Sequence, residues 1–332
     1  MPRSVHLVGS VPLSDAAEVM STCCGVLGEQ LRRVPDGETG ERTNWIQWQR
    51  DILGAHEAIE VVGEGKNAQT VMPRFALRPG FSEEVAFSDL GYLSAALESY
   101  ATFRQLKDSG KIAGQRFQVS LPTPLAAIAC YVDSSSQEAL FAPYRDQLLI
   151  ETDAILDQIP HEDLATQWDV AIEFAVLEGL FPVWFDSPFE AITEQLSDLI
   201  DRIPASVEAG FHFCYGDANN KHFKEPEDMG LLVSLANAVC GSAKRSVDWI
   251  HMPVPIDRSD DAYFQPLADL NRDGLSELYL GLLHEQDGVE GAGQRMAAAD
   301  KYVSDYGVAT ECGLGRRNPT TIPELLKLHT AV

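Results

Sequence analysis

Gly210-Phe211-His212-Phe213-Cys214-Tyr215 is a short apolar run that carries a histidine and a cysteine two residues apart. On a β-strand that spacing puts both side chains on one face, because successive side chains alternate across the strand. Apolar runs that end in reactive groups recur along the chain. β-rich stretches at 5–9, 31–35, 116–121, 165–169, 207–213, 247–252, 278–283 and 308–312 alternate with helical patterns. The helical patterns cover 138–159, 189–203, 227–240, 289–306 and 322–329, where apolar residues recur at three- and four-residue spacing. Parallel strands joined by helices follow. Eight such strands predict an α/β fold, a (β/α)8 TIM barrel whose C-terminal strand ends carry the chemistry. The segment 52–82 breaks the rhythm with Gly, polar residues and β-like pieces at 61–62 and 71–77. It reads as a loop or hairpin inserted after the second strand. No Pro/Ser/Gly linker divides the pattern, so residues 1–332 read as one barrel domain.

The 332 residues are 45% hydrophobic, enough for a large core. Fifty acidic against 25 basic side chains give a formal charge of −25, which repels nucleic acid and anionic membrane surfaces. Six cysteines in a chain of this length are no dense disulfide framework, and Met1-Pro2-Arg3-Ser4 opens no signal-peptide pattern. No run approaches the roughly 20 apolar residues that span a bilayer. A soluble protein of the reducing cytoplasm is the expectation.

The candidate chemistry lies at the strand ends. Cys312, in Glu311-Cys312-Gly313-Leu314-Gly315-Arg316-Arg317, ends another β-rich run. Alone, His212, Cys214 and Cys312 each read as packed core residues; together they offer one imidazole and two thiols, a set suited to an open zinc site with a position left for a substrate thiol. His251, in Trp249-Ile250-His251-Met252-Pro253, is a further ligand or an ordinary strand-end residue. Asp169, closing Gln167-Trp168-Asp169, can hold an ammonium group, take a proton or cap a helix. Pro35-Asp36-Gly37-Glu38-Thr39-Gly40-Glu41-Arg42 sets Glu38 between glycines, facing a ligand, with Glu41 and Arg42 free to pair on the surface. His284 suits a general acid or base, or the core. Ser10 ends the first strand. Arg316 and Arg317 either bind an anion or lie on the surface, and Cys23, Cys24, Cys130 and Cys240 read as packing residues.

Leu7-Val8-Gly9-Ser10, Asp36-Gly37-Glu38, Gln167-Trp168-Asp169, His212-Phe213-Cys214-Tyr215, Arg258-Ser259-Asp260 and Cys312-Gly313-Leu314 stand in the order of the motifs of cobalamin-independent methionine synthase. The chain resembles the C-terminal catalytic barrel of that family, as a short single-barrel member. The resemblance implies Zn2+ held by His212, Cys214 and Cys312, and a homocysteine-like thiol activated as its zinc thiolate. It implies that Ser10, Glu38 and Asp169 hold the amino-acid part of that thiol, that His284 serves as acid–base catalyst, and that a methylfolate supplies the alkyl group. The family's fourth ligand, a glutamate at the end of the sixth strand, has no acidic counterpart in His251-Met252-Pro253-Val254-Pro255. His251 stands in for it or three protein ligands suffice. Ser120-Leu121-Pro122-Thr123-Pro124 matches the folate-side motif in part, and the net charge opposes a polyanionic folate. The expected activity is a zinc-dependent methyl or alkyl transferase. The alternatives are a zinc lyase or hydrolase using Asp169 or His284, and a non-catalytic paralogue on the same barrel.

Overall fold

The computed structural model describes residues 3–67, 70–217 and 221–332. Its strands are β1 (Arg33–Pro35), β2 (Ile59–Asn67), β3 (Thr70–Leu77), β4 (Arg116–Pro122), β5 (Leu164–Val170), β6 (Glu208–Phe213), β7 (Val247–Pro253), β8 (Leu275–Leu283) and β9 (Gly307–Thr310). Seven of them form one parallel sheet in the order β1-β4-β5-β6-β7-β8-β9. Each crossover between neighbours carries at least one helix, among them Gln137–Gln158, Pro188–Arg202, Gly230–Ser242 and Gly288–Ala299. β5 is buried at every position, as expected of a parallel strand covered on both faces.

The first β-rich run does not form the expected eighth ladder. Val5 makes single parallel bridges to Leu31 and to Val308, so the curled sheet brings both edges to this segment. The reason lies in two glutamines. Gln118 Nε2 donates to the carbonyls of Leu7 (3.1 Å) and Val8 (2.9 Å), and Gln167 Nε2 donates to Val8 O at 2.6 Å. Side-chain amides thus take acceptors that a neighbouring strand would use.

At the N-terminal end of the sheet Arg33 is buried. It pairs with Glu208 at 2.7 Å and Glu277 at 2.9 Å and lies 4.0 Å over the Trp249 ring. β2 and β3 pair antiparallel as a separate hairpin, tied to the body where Asp133 N donates to Phe75 O at 2.7 Å. The helix expected over 289–306 stops at Ala299, and the chain turns through Asp305 in a left-handed conformation before β9. Helices at Ala16–Leu27, Tyr92–Asp108 and Pro124–Tyr131 add to the expected set. None of the described helices is long and apolar enough to cross a membrane.

Candidate metal and substrate site

Parallel register aligns the ends of three strands: Asp169 on β5 faces His212 on β6, and His212 faces His251 on β7. His251 is buried, with Nε2 3.0 Å from Thr310 O and Nδ1 2.8 Å from His212 Nδ1. Burial pushes His251 down to about 4, so it is neutral at pH 7. Because a carbonyl only accepts, the single N–H of neutral His251 sits on Nε2. Its Nδ1 therefore accepts from His212 Nδ1–H, which leaves His212 Nε2 as a bare lone pair. That lone pair lies 3.7 Å from Cys312 Sγ. Cys312 Sγ in turn lies 3.6 Å from Cys214 Sγ.

The ligand atoms of His212, Cys214 and Cys312 all lie within 4.8 Å of one another. A tetrahedral zinc with ordinary Zn–S and Zn–N bonds spaces two sulfurs about 3.8 Å apart and a sulfur and nitrogen about 3.6 Å. The donor set fits that ion, and so do the Cys214–Cys312 and Cys312–His212 edges. Cys214 and burial both raise the Cys312 thiol well above its usual value, so that thiol resists ionising until a cation arrives. Gly216 N–H donates to Cys214 Sγ at 3.2 Å, supporting negative charge on that sulfur. No disulfide joins any of the cysteines among the described residues, and Cys23, Cys24 and Cys130 are buried.

His212, Cys214 and Cys312 line a cleft of about 480 Å³ together with Ser10, Glu38 and Asp169. The sequence-based candidates thus meet at one place. Ser10 Oγ accepts from Gly315 N at 3.2 Å, and Ser10 O accepts from Leu314 N at 2.7 Å, so the first segment is laced to the turn after Cys312. Glu38 adopts a left-handed backbone, φ 47°, held where its N–H donates to Asp36 Oδ1 at 2.8 Å. Arg42 pairs with Asp36 at 2.6 Å rather than with Glu41. Burial first, then the Asp169 and Asp36 carboxylates, raises Glu38 above the usual carboxylate range. Burial raises Asp169 also, opposed by the hydrogen bond that Gln167 Nε2 donates to its Oδ1 at 2.9 Å. A Cβ on Gly9 would stand 2.5 Å from Glu38 Oε1, so glycine leaves room for that carboxylate.

His284 and His251 do not line the cleft. His284 is buried with Nε2 2.8 Å from Val254 O and Nδ1 3.8 Å from Glu311. His251 stands behind His212, as its positioning partner. Arg316 lines the cleft and approaches Asp217 at 3.8 Å, while buried Arg317 approaches Glu311 at 3.7 Å.

Sequence reasoning did not single out Asp217 and Trp45. Trp45 interrupts the 3-10 stretch Gly40–Trp48 with φ 55° and ψ −120°, strained for a bulky side chain. The signal for Asp217 is slight, a Gly-Asp pair three residues past the ligand cysteine. Both residues also line a second cleft of about 650 Å³ that adjoins the first.

No known family's sequence profile matches the chain, and no curated protein matches it by sequence. Solved structures do. A protein of Listeria monocytogenes provisionally assigned as a vitamin-B12-independent methionine synthase shares 12% identity at a TM-score of 0.58, over 99% of this chain and 98% of that one. A methyltransferase from Methanosarcina mazei shares 12% identity at a TM-score of 0.59, over 99% of this chain and 93% of that one. The chain has the fold of these proteins over nearly its whole length.

Proposed function

We propose that the protein is a zinc-dependent methyl or alkyl transferase whose acceptor is a small thiol of the homocysteine type. One observation carries the reading: an unprotonated imidazole nitrogen and two thiols converge in a cleft that also holds a serine, a buried carboxylate and a half-buried one. Zinc bound there keeps a substrate thiol as thiolate near neutral pH, which turns a weak nucleophile into a strong one. The likeness in fold to a methionine synthase and a methyltransferase supports the same class of reaction.

The remaining steps fall to the protein's own side chains. His212, Cys214 and Cys312 hold the metal, and His251 fixes the tautomer of His212. Glu38 and Asp169 receive the ammonium group of an amino-acid thiol, and Ser10 its carboxylate. An arriving ammonium offsets the repulsion between the two acids, so substrate binding draws them toward the ionised form. The alkyl donor enters from the open side of the cleft; a methylfolate is the donor implied by the resemblance. Cysteines outside any disulfide suit a reducing compartment such as the cytoplasm.

Elemental analysis of the purified protein, beside His212→Ala, Cys214→Ser and Cys312→Ser, tests the reading. About one zinc per chain, lost in all three variants, is the expected result. Cobalt-substituted protein should gain a sulfur-to-metal absorption band when homocysteine is added. Folded protein that takes up no zinc overturns the proposal.

A further inference from the structure

The second cleft holds one carboxylate, Asp217, among its lining with two basic side chains, Arg316 and Lys221. Asp217 is 1% exposed at its side chain, and neither carboxylate oxygen has a hydrogen-bond partner among the described residues. Arg316 Nη1, at 3.8 Å, is too distant to satisfy it. A buried carboxylate left in this state costs free energy unless a ligand completes it. Asp217 lines both clefts, and so does Trp45. Around them the second cleft presents Tyr131 and Phe223, with Lys221 exposed at its rim. Aromatic faces beside an unpartnered carboxylate are the recognition chemistry of a cation that has no N–H to give, such as a sulfonium or quaternary ammonium.

We propose that the second cleft receives an onium methyl donor, a small sulfonium or quaternary ammonium, with its positive centre against Asp217, Trp45, Tyr131 and Phe223. The proposal rests on the reading that a thiol is methylated in the adjoining cleft. The reaction balances without another reagent. The thiolate sulfur forms the new S–CH3 bond, the bond from methyl to the onium atom breaks, and its electron pair stays on the departing sulfide or amine. Thiolate and cation become two neutral products, and no proton moves.

The layout agrees with such a donor on two counts. A leaving group that departs as an anion needs a general acid, whereas a neutral sulfide or amine needs none. Among the described residues His212, the metal ligand, is the sole imidazole lining either cleft, and the carboxyl groups beside it, Glu38 and Asp169, are assigned to the substrate ammonium. The formal charge of −25 favours a cationic donor over a polyanionic one.

Two measurements test it on the full-length, zinc-loaded protein. Titration calorimetry with tetramethylammonium, in the absence of any thiol, should show saturable binding that weakens about tenfold or more in Asp217→Asn and in Trp45→Leu. Zinc content should be unchanged in both variants. Homocysteine is then incubated with trimethylsulfonium, with tetramethylammonium or with methylfolate, and methionine is measured by mass spectrometry. Turnover with one onium salt identifies sulfonium or ammonium as the donor class. Methylation by the folate alone, or no saturable binding of the probe, overturns the onium site and leaves thiol methylation standing. Asp217-dependent binding of the probe to protein that neither holds zinc nor methylates thiols would uphold the site and overturn the proposed function.

Discussion

At the residue scale the decisive side chain is His251, which does not line the cleft but stands directly behind His212. Its bond to the Thr310 carbonyl sets its own tautomer, and through it that of His212. Partners behind a ligand histidine typically contribute 10–100-fold to metal affinity. His251→Ala should therefore weaken zinc binding by about that factor in a chelator competition, while Cys214→Ser and Cys312→Ser remove it. Equal losses in all three would make His251 a direct ligand. Glu173 gives a second residue-scale prediction. Burial raises it from 4.5 to about 7, and one of its oxygens lacks a partner while the other accepts from the Thr123 hydroxyl. A carboxylate whose folded pKa is raised binds its proton more tightly folded than unfolded, so stability falls as pH rises from about 4.5 through 7. Glu173→Gln cannot ionise, and its melting temperature relative to the parent should climb between pH 5 and pH 8. A difference independent of pH would show that Glu173 keeps an ordinary pKa. His212, Cys214, Cys312, Ser10, Glu38 and Asp169 were legible in the sequence because each stands at a strand end beside a recognisable turn. Asp217 and Trp45 were not, since a loop aspartate and an indole on a strained backbone have no periodic signature.

At the scale of elements, the parallel strands were legible wherever the apolar run was continuous. Expected and observed bounds for β4 to β7 differ by a residue or so at each end. The first run misled because His6 and the carbonyls of residues 7 and 8 are served by glutamine side chains from β4 and β5, and no strand pattern records such a long-range substitution. Helices with apolar residues on most faces, such as Pro124–Tyr131, lack the one-sided stripe that periodicity detects. β6 and β7 meet more closely than any pattern indicates. A Cβ built on Gly210 would lie 2.2 Å from Trp249 Cδ2 and 2.4 Å from Trp249 O. Gly210→Ala should push β6 away from β7 at the Gly210↔Trp249 register pair, two residues before His212↔His251 on the same strand face. A loss of roughly 3 kcal/mol or more in urea unfolding is expected, the range of overpacked cores. The second expected readout is weaker zinc binding in the protein that still folds, because the two histidines part. Unchanged unfolding would mean that the strands slide to accommodate a methyl group.

At the scale of the molecule, the metal ligands join distant parts of the chain. Cys214 and Cys312 are 98 residues apart, one past the end of β6 and the other past β9. An ion held between them bridges two strands that do not pair directly, since β7 and β8 lie between. Zinc that binds the folded chain and not the unfolded one stabilises it by mass action, by about 2.7 kcal/mol when free zinc is 100 times its dissociation constant. For a chain of this size each kcal/mol moves the melting temperature by about 2 °C, so zinc should raise it by roughly 5 °C. The shift should vanish in Cys214→Ser and Cys312→Ser. In His251→Ala it should reappear at higher zinc, because that residue sets the affinity of the site and not its existence. Calorimetric scans over a series of buffered zinc concentrations measure all three. A melting temperature insensitive to zinc in the parent protein would mean that the imidazole and the two thiols pack beside each other without forming a metal site. The cleft would then be left with its carboxylates and the cation-binding chemistry of Asp217 alone.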